Sequence, residues 1–155
     1  MSTAKPHTGA PEEEPPEALI GQTIQGRYRV ESLLGTGGMG AVYRVMHLGI
    51  DKRMALKMLS KRMMQHPNVV ARFEREAKAA ASFGHPHVAA ATDYGRTEDG
   101  RFYLVMEYID GKELRDAMDL AIAPFPPTRA LFIARQIATA LTRAHKLGIV
   151  HRGPD

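Results

Sequence analysis

Apolar and polar residues alternate along five segments of the chain, a pattern typical of β-strands with one buried face. Many side chains in these segments are β-branched or aromatic, which favours strands further. The segments are residues 28–34, 41–46, 53–59, 88–94 and 101–108. Asp99-Gly100, just before the last segment, is a strong signal for a hairpin turn. The pattern therefore predicts five strands, with the first three in immediate succession.

Helical spacing appears in three other stretches. The first helix follows Pro67, and Asn68 is its predicted N-cap. Its apolar face is formed by Val69, Phe73, Ala77 and Ala80. A short helix is predicted over residues 113–120 and a long one over residues 128–146. Apolar residues surround much of the axis of the long helix, so we expect it to be buried on several sides.

The order of these elements indicates the fold class. Three strands, a helix, two strands and then helices do not form the alternating rhythm of a doubly wound parallel sheet. We therefore predict an α+β fold, with a five-stranded antiparallel sheet carrying one helix.

Composition excludes several classes of protein. The chain has 155 residues, of which 44% are hydrophobic and 25% charged, as in ordinary globular domains. It has no cysteine, which excludes a disulfide scaffold and any cysteine-ligated metal site. No apolar stretch approaches the ~18 residues of a membrane span. We expect a cytoplasmic protein with no membrane span in this chain.

Charge is distributed unevenly. Residues 1–27 are rich in proline and glutamate, and we predict that they form a disordered acidic tail. The net charge of +4 comes from bases scattered through the rest of the chain, where acids alternate with them. Because no basic stripe with interleaved aromatic residues is present, no nucleic-acid partner is expected.

A glycine-rich motif, G-T-G-G-M-G, occupies residues 35–40. The spacing G-x-G-x-x-G occurs both in dinucleotide-binding folds and in kinases, and in the former it opens a helix. Here a predicted strand follows, so the glycines form a hairpin flap whose backbone N–H groups can approach phosphate oxygens. An ordinary glycine-rich hairpin remains the alternative interpretation.

Two charged residues stand in apolar surroundings. Lys57 interrupts the apolar third strand, and Glu76 falls three residues after Phe73 on the apolar face of the first helix. A buried carboxylate needs a cation, and Lys57 is the natural candidate. The alternative is a rotated helix with a solvated Glu76. His85-Pro86-His87 is a weaker candidate for a metal site, and a structural loop is the favoured interpretation there.

Taken together, these motifs resemble the N-terminal half of a bacterial-type (Hanks-type) serine/threonine protein kinase domain. The glycine motif, Ala55-Leu-Lys57, Glu76 in R-F-E-R-E-A, His85-Pro86-His87-Val88, the segment 103–111 and Gly148-Ile-Val-His-Arg152 occur in the family's order. The resemblance implies a kinase N-lobe over residues 28–110 and an incomplete helical C-lobe over residues 111–155, ending at the catalytic loop.

The resemblance also implies roles in binding ATP. The glycines would cover the phosphates, Lys57 would hold the α- and β-phosphates and be oriented by Glu76, and Met106 would be the gatekeeper. The backbones of Glu107 and Ile109 would bond the adenine edge. The full set of candidate binding residues is Leu34, Gly35, Thr36, Gly37, Gly38, Met39, Gly40, Ala41, Val42, Ala55, Lys57, Glu76, Met106, Glu107 and Ile109.

The sequence departs from the family at the catalytic loop. Gly153 occupies the position of the catalytic aspartate, and Asp155 stands two positions later, so no catalytic or metal-binding residue is assigned. The expectation is a kinase fragment, cut short naturally, by a frameshift or by a sequencing artefact. We expect weak ATP binding and no phosphoryl transfer, with Mg²⁺ bound only in an intact family member.

A non-catalytic nucleotide-binding or protein-interaction module derived from a kinase lobe is the alternative function. In either case, exposed apolar positions on the helices are expected to promote aggregation or to recruit a protein partner.

Overall fold

The computed structural model describes residues 14–121 and 123–150, and its centre is a six-stranded antiparallel sheet. In spatial order the strands are β1-β2-β3-β4-β6-β5. Their bounds are β1 Thr23–Ile24, β2 Tyr28–Gly37, β3 Gly40–His47, β4 Lys52–Leu59, β5 Ala91–Arg96 and β6 Phe102–Glu107. The α+β class and the five predicted strands are confirmed, and one strand is additional.

The additional strand, β1, lies in the segment for which a disordered tail was predicted. It pairs with the start of β2 through a tight turn whose central residues, Gln25 and Gly26, both have positive φ (52° and 64°). That turn shape suits the twist of a hairpin, but Gln-Gly is a weaker sequence signal for it than Asn-Gly. Before it, a 3₁₀ turn spans Pro16–Leu19. The remainder of the predicted tail, residues 1–13, lies outside the described residues.

Strand register divides the side chains between two faces of the sheet. Directly paired residues point to the same side, and neighbours along a strand point to opposite sides. Lys57 pairs with Val42 and Leu104, so these three share one face, which we call the helix face. Met58 pairs with Ala41 and Tyr103, and these lie on the other face, which we call the outer face.

Each face has its own hydrophobic cluster. On the helix face, Leu59, Phe102 and Leu104 pack with Phe73 and Ala77 of the helix α1. Among the described residues, no α-helix covers the cluster on the outer face. It consists of Leu19, Ile24, Tyr28, Val30, Ala41, Tyr43, Val45, Met54, Leu56, Met58, Tyr103 and Val105. The β1–β2 hairpin and the 3₁₀ turn supply four of these side chains. Two of them, Leu19 and Ile24, precede residue 28, and their burial explains why residues 14–27 are ordered with the sheet.

The helices follow the predicted positions closely. They are α1 Pro67–Ser82, α2 Leu114–Asp119 and α3 Pro127–Lys146. The predicted cap was wrong: α1 begins at Pro67, its N-cap is His66, and no side chain caps it. Proline suits the first helical position because its φ is fixed near the helical value and its missing N–H is not needed there.

Helix α3 is far more exposed than its composition led us to expect. Its least exposed side chains form a single stripe of Ile133, Gln136, Ala140 and Ala144, and only Ala144 is buried. By contrast, Leu131 and Phe132 are 70% and 63% exposed. The expectation that α3 is buried on several sides is wrong for the described residues. Within those residues, no helix is both long and apolar enough to cross a bilayer.

Candidate functional site: the glycine-rich flap and Lys57

The glycine motif forms the tip of the β2–β3 hairpin, as its position before a strand predicts. Gly35 pairs with Val42, and Gly37 pairs with Gly40. Gly40 lies so close to the carbonyl oxygen of Met58 on β4 that a side chain at this position would collide with it. The absence of a Cβ therefore lets the flap lie directly against the neighbouring strand.

Not every residue of the motif points toward Lys57. Thr36 pairs with Ala41, and both belong to the outer face, so only their backbone belongs to the helix-face site. Met39, at the tip, packs against the helix-face cluster, and its carbonyl accepts a hydrogen bond from the Ser60 N–H at 3.1 Å. The motif thus contributes backbone to the flap, the Met39 side chain to the helix face and the Thr36 side chain to the outer face.

Lys57 is oriented by two residues of α1. Its Nζ lies 3.6 Å from Oε2 of Glu76 and 5.8 Å from the centre of the Phe73 ring. The lysine side chain is 31% exposed, so its ammonium group remains open to a ligand. The pairing between Lys57 and Glu76 that the sequence suggested is present.

The burial predicted for Glu76 is only partly correct. Its side chain is 42% exposed and lies at the edge of the buried face, next to Phe73 and Ala77. The second carboxylate oxygen, Oε1, accepts a hydrogen bond from Nε of Arg72, one turn earlier, at 3.0 Å. Glu76 is therefore shared by two cations and reaches Lys57 without being removed from solvent.

The apolar members of the candidate binding set include residues further along the same sheet face. Ala55 on β4 pairs with Met106 on β6. Val42, which pairs with Lys57, lies on the same face of β3. Ala55 is buried, whereas Leu34 and Ile109 are 46% and 61% exposed. The described residues thus include an apolar floor on the sheet, with exposed apolar side chains at two of its borders.

The Arg44 side chain and the backbone N–H of Glu107 lie beside this floor, and each donates a hydrogen bond. Arg44 pairs with Ala55, and its Nε donates to Glu31 at 3.0 Å. The side chain of Tyr108 and then the Glu31 carboxylate raise the pKa of Arg44 above its usual value. Glu107 ends β6, and its N–H donates to the carbonyl of Ala90 at 2.9 Å.

Sequence reasoning missed two residues of this site. Arg72 and Phe73 were assigned to a motif and to the core, but they also contact Glu76 and Lys57. The spacing of four residues between Arg72 and Glu76 is the signal that could have identified the first contact. The second depends on strand register, which brings Lys57 over the α1 ring and is not readable from local spacing.

The weaker candidates are outside the site. The His85 and His87 rings contact each other, and Nδ1 of His85 accepts the His87 N–H at 3.1 Å, as in a structural loop. Across residues 14–121 and 123–150, no three side chains are grouped as a metal site would require. Gly153 and Asp155 lie outside the described residues.

Comparison with known proteins now identifies the class. Residues 28–153 match the family model of the protein kinase domain, so the chain belongs to the protein kinase family. The relatives are bacterial serine/threonine kinases. The chain is 41% identical over 136 residues to the serine/threonine-protein kinase pkn3 of Myxococcus xanthus. It is 39% identical over 134 residues to PrkC of Bacillus subtilis.

The solved structures agree with this assignment. The crystal structure of the Mycobacterium tuberculosis PknI kinase domain is similar, with a TM-score of 0.70 and 37% sequence identity. That match covers 87% of this chain and 55% of the PknI chain. The matches to pkn3 and PrkC cover 88% and 86% of this chain but only 25% and 20% of those proteins. The chain therefore spans about a quarter of its curated relatives and about half of a kinase domain.

Proposed function

We propose that the sheet and α1 form the ATP-binding lobe of a serine/threonine protein kinase, whose reaction is phosphoryl transfer from ATP to a protein hydroxyl. The observation that carries the proposal is the position of Lys57. It shares a sheet face with Val42 and Ala55, next to a glycine-rich flap, and is held 3.6 Å from Glu76. ATP supplies the phosphoryl group, and phosphoryl transfer depends mainly on positioning and charge stabilisation.

The residues fit a bound adenine nucleotide. The flap offers backbone N–H groups without side chains between Gly35 and Gly40, apart from Thr36 and Met39, which favours close approach to phosphates. Lys57 offers a cation that remains accessible to an anionic ligand. Ala55, Val42 and Met106 offer an apolar surface for the base, and we propose that Glu107 and Ile109 bond its edge through their backbones.

The same residues define the limits of the proposal. None of the described side chains is assigned as the catalytic base or as a ligand for Mg²⁺, so the chain is expected to bind ATP weakly and to transfer no phosphate by itself. A binding or interaction module without catalysis remains the second candidate, favoured by the exposed apolar residues of α3. A cytoplasmic location and a protein partner covering α3 are predictions of this proposal.

The test compares two lysines of the same strand. ATP binding is measured by calorimetry for the wild-type chain, for Lys57→Met and for Lys52→Met, which alters an exposed lysine at the start of β4. Loss of a charge-assisted contact costs about 1.5–3 kcal/mol, so we expect Lys57→Met to weaken binding about tenfold or more. Lys52→Met should leave the affinity unchanged.

Two outcomes would contradict the proposal. Equal affinities of all three proteins for ATP would show that Lys57 does not contact the nucleotide. Phosphate transfer to a generic protein substrate, abolished in Lys57→Met, would refute the expectation that the chain is inactive alone. Circular dichroism of each variant controls for folding.

A further inference from the structure

A cavity of about 220 Å³ lies behind the glycine-rich flap, on the outer face of the sheet. Ala41, Tyr43 and Met58 form its floor, and the segment 14–19 before β1 forms one wall. Gly37, Gly38 and Gly40 of the flap form another wall. Lys57 does not line this cavity. The cavity shares Thr36, Gly37, Gly38, Gly40 and Ala41 with the candidate nucleotide-binding residues, but it lies on the opposite side of the flap from Lys57.

Among the described residues, three cationic side chains line this cavity. They are Lys61 and Arg62, just after β4, and Arg101, directly before β6. Glu14 is the one acid among the lining residues, and its Oε2 lies 3.9 Å from Nζ of Lys61. Arg62 forms no ion pair with any acid in the described part of the chain. Nζ of Lys61 also lies 3.7 Å from Oδ2 of Asp99, which pairs with Arg101 as well. Three cationic side chains thus face two acids, which leaves an excess of one positive charge.

Arg101 has bonding capacity that the described residues do not use. Its Nη2 is 2.9 Å from Oδ2 of Asp99, and its side chain is only 15% exposed. Its Nε is buried and has no hydrogen-bond partner among the described residues. A buried donor without a partner is unfavourable, because it has lost its water without gaining an acceptor.

The other walls are apolar. Leu19, Tyr43 and Met58 are between 2% and 5% exposed, and Pro15 and Pro16 cover the cavity from the side of the chain's start. The hydroxyl of Tyr43 is engaged, since it donates to the carbonyl of Pro16 at 3.0 Å. A ligand that matches these walls needs a compact apolar body as well as a charged head.

We propose that this cavity binds a small organic phosphate monoester, with its phosphate among Lys61, Arg62 and Arg101 and its apolar body against Leu19 and Met58. Two of the three cations are arginines, whose planar forks match phosphate oxygens. The volume is below the roughly 300–1,000 Å³ of pockets for drug-sized ligands, which limits the body to about the size of one ring. The proposal does not rest on nucleotide binding.

Occupancy of the cavity would also act on the flap. Gly37, Gly38 and Gly40 line the cavity from one side, and the proposed ATP site lies against the opposite side of the same hairpin. A bound phosphate monoester would restrict the movement of these glycines. The cavity is thus a place where a small metabolite can change the flap without competing for the position of ATP.

The experiment titrates the full chain with phenyl phosphate and follows backbone amides by NMR at constant ionic strength. Inorganic phosphate tests the contribution of the head group, and phenol tests that of the apolar body. We expect saturable shifts at residues 37–41 and 60–62 with phenyl phosphate, at least fivefold weaker binding of inorganic phosphate, and no shifts at these positions with phenol.

Two arginine variants separate a site from general charge attraction. Arg62→Gln removes a cation of the cavity, and Arg29→Gln removes an exposed cation of β2 that does not line it. We expect at least fivefold weaker binding of phenyl phosphate in the first variant and unchanged binding in the second. Equal weakening in both, unsaturable shifts, or shifts confined to residues on the helix face would overturn the proposal.

Discussion

The sheet with α1 and the helices after residue 110 are built from similar proportions of apolar residues but use them differently. Among the described residues, every buried apolar side chain except Ala144 belongs to the part before residue 110. In α3, Leu131, Phe132 and Ile137 are 48–70% exposed. The sheet and α1 bury the apolar side chains of their own two clusters. The apolar side chains of α3 stay exposed, because the helices after residue 110 do not cover them.

The largest expected effect comes from the same substitution made in each region. Leu56 is fully buried in the outer-face cluster, and Leu131 is 70% exposed on α3. Leu56→Ala leaves a cavity and should lower the free energy of unfolding by about 2–5 kcal/mol. Leu131→Ala should change it by less than about 0.5 kcal/mol. Urea unfolding monitored by fluorescence measures both, and similar losses would mean that α3 is packed after all.

The next effect concerns a hydrogen bond that ties the lobe together. Tyr28 donates to Oδ2 of Asp93 at 2.6 Å, and its ring is buried. Burial and then this hydrogen bond raise the pKa of Tyr28 above its usual value. Tyr28→Phe should cost about 1.5 kcal/mol, as for hydrogen bonds to charged groups.

Tyr94→Phe is the matched control for this prediction. The Tyr94 hydroxyl contacts Glu74 at 3.5 Å, and the residue is 39% exposed. Burial is also the main reason why the pKa of Tyr94 rises to about 12. A long and exposed hydrogen bond contributes little, so the loss should stay below about 0.5 kcal/mol. If both variants lost the same stability, the Asp93 contact would have no special role.

A smaller effect is expected at acid pH. Burial alone would raise the pKa of Asp99, but hydrogen bonds from Thr97 and Arg101 outweigh it and lower the pKa below its ordinary 3.8. The carboxylate therefore stabilises the fold above pH 3.8, and this contribution is lost as the pH falls through the lower folded value. Because Asp99 is 36% exposed, the contribution should stay below about 1 kcal/mol.

Substitution of Asp99 isolates this contribution. Asp99→Asn should destabilise the lobe at pH 6, and the difference from wild type should disappear on acidification below pH 3.8. Glu98→Gln, at an exposed neighbouring position, should behave as wild type throughout. Thermal unfolding between pH 2.5 and pH 6 measures all three proteins. A difference that persisted at the lowest pH would assign the effect to geometry instead of charge.

Much of the lobe could be predicted because its signals are local. Alternation and turn residues identified five strands, and the positions of Lys57 and Glu76 predicted their contact. β1 was missed because two residues are too few for a periodic signal, and its neighbours are acidic and proline-rich. The exposure of Glu76 and the approach of Phe73 to Lys57 depend on how α1 is rotated against the sheet. That rotation is set by packing, which local spacing does not encode.

The cavity could not be predicted for a similar reason. Lys61 and Arg101 are forty residues apart in the chain and become neighbours through the pairing of β4 with β6. Another part of the lining comes from the segment 14–19 before β1, for which the sequence predicted no ordered structure. Sites assembled from three distant segments have no signature in spacing.

The alternation along β4 has a consequence for how this strand can vary in length. Lys57 faces α1 and the proposed nucleotide, and its neighbours Leu56 and Met58 complete the opposite core. Deleting or inserting one residue within β4 would turn the ammonium group into that core and bring a core side chain out beside Glu76. The alternation of faces therefore fixes the number of residues in β4. Changes of length belong in the exposed turn between β3 and β4, where Leu48 and Ile50 already lie at the surface.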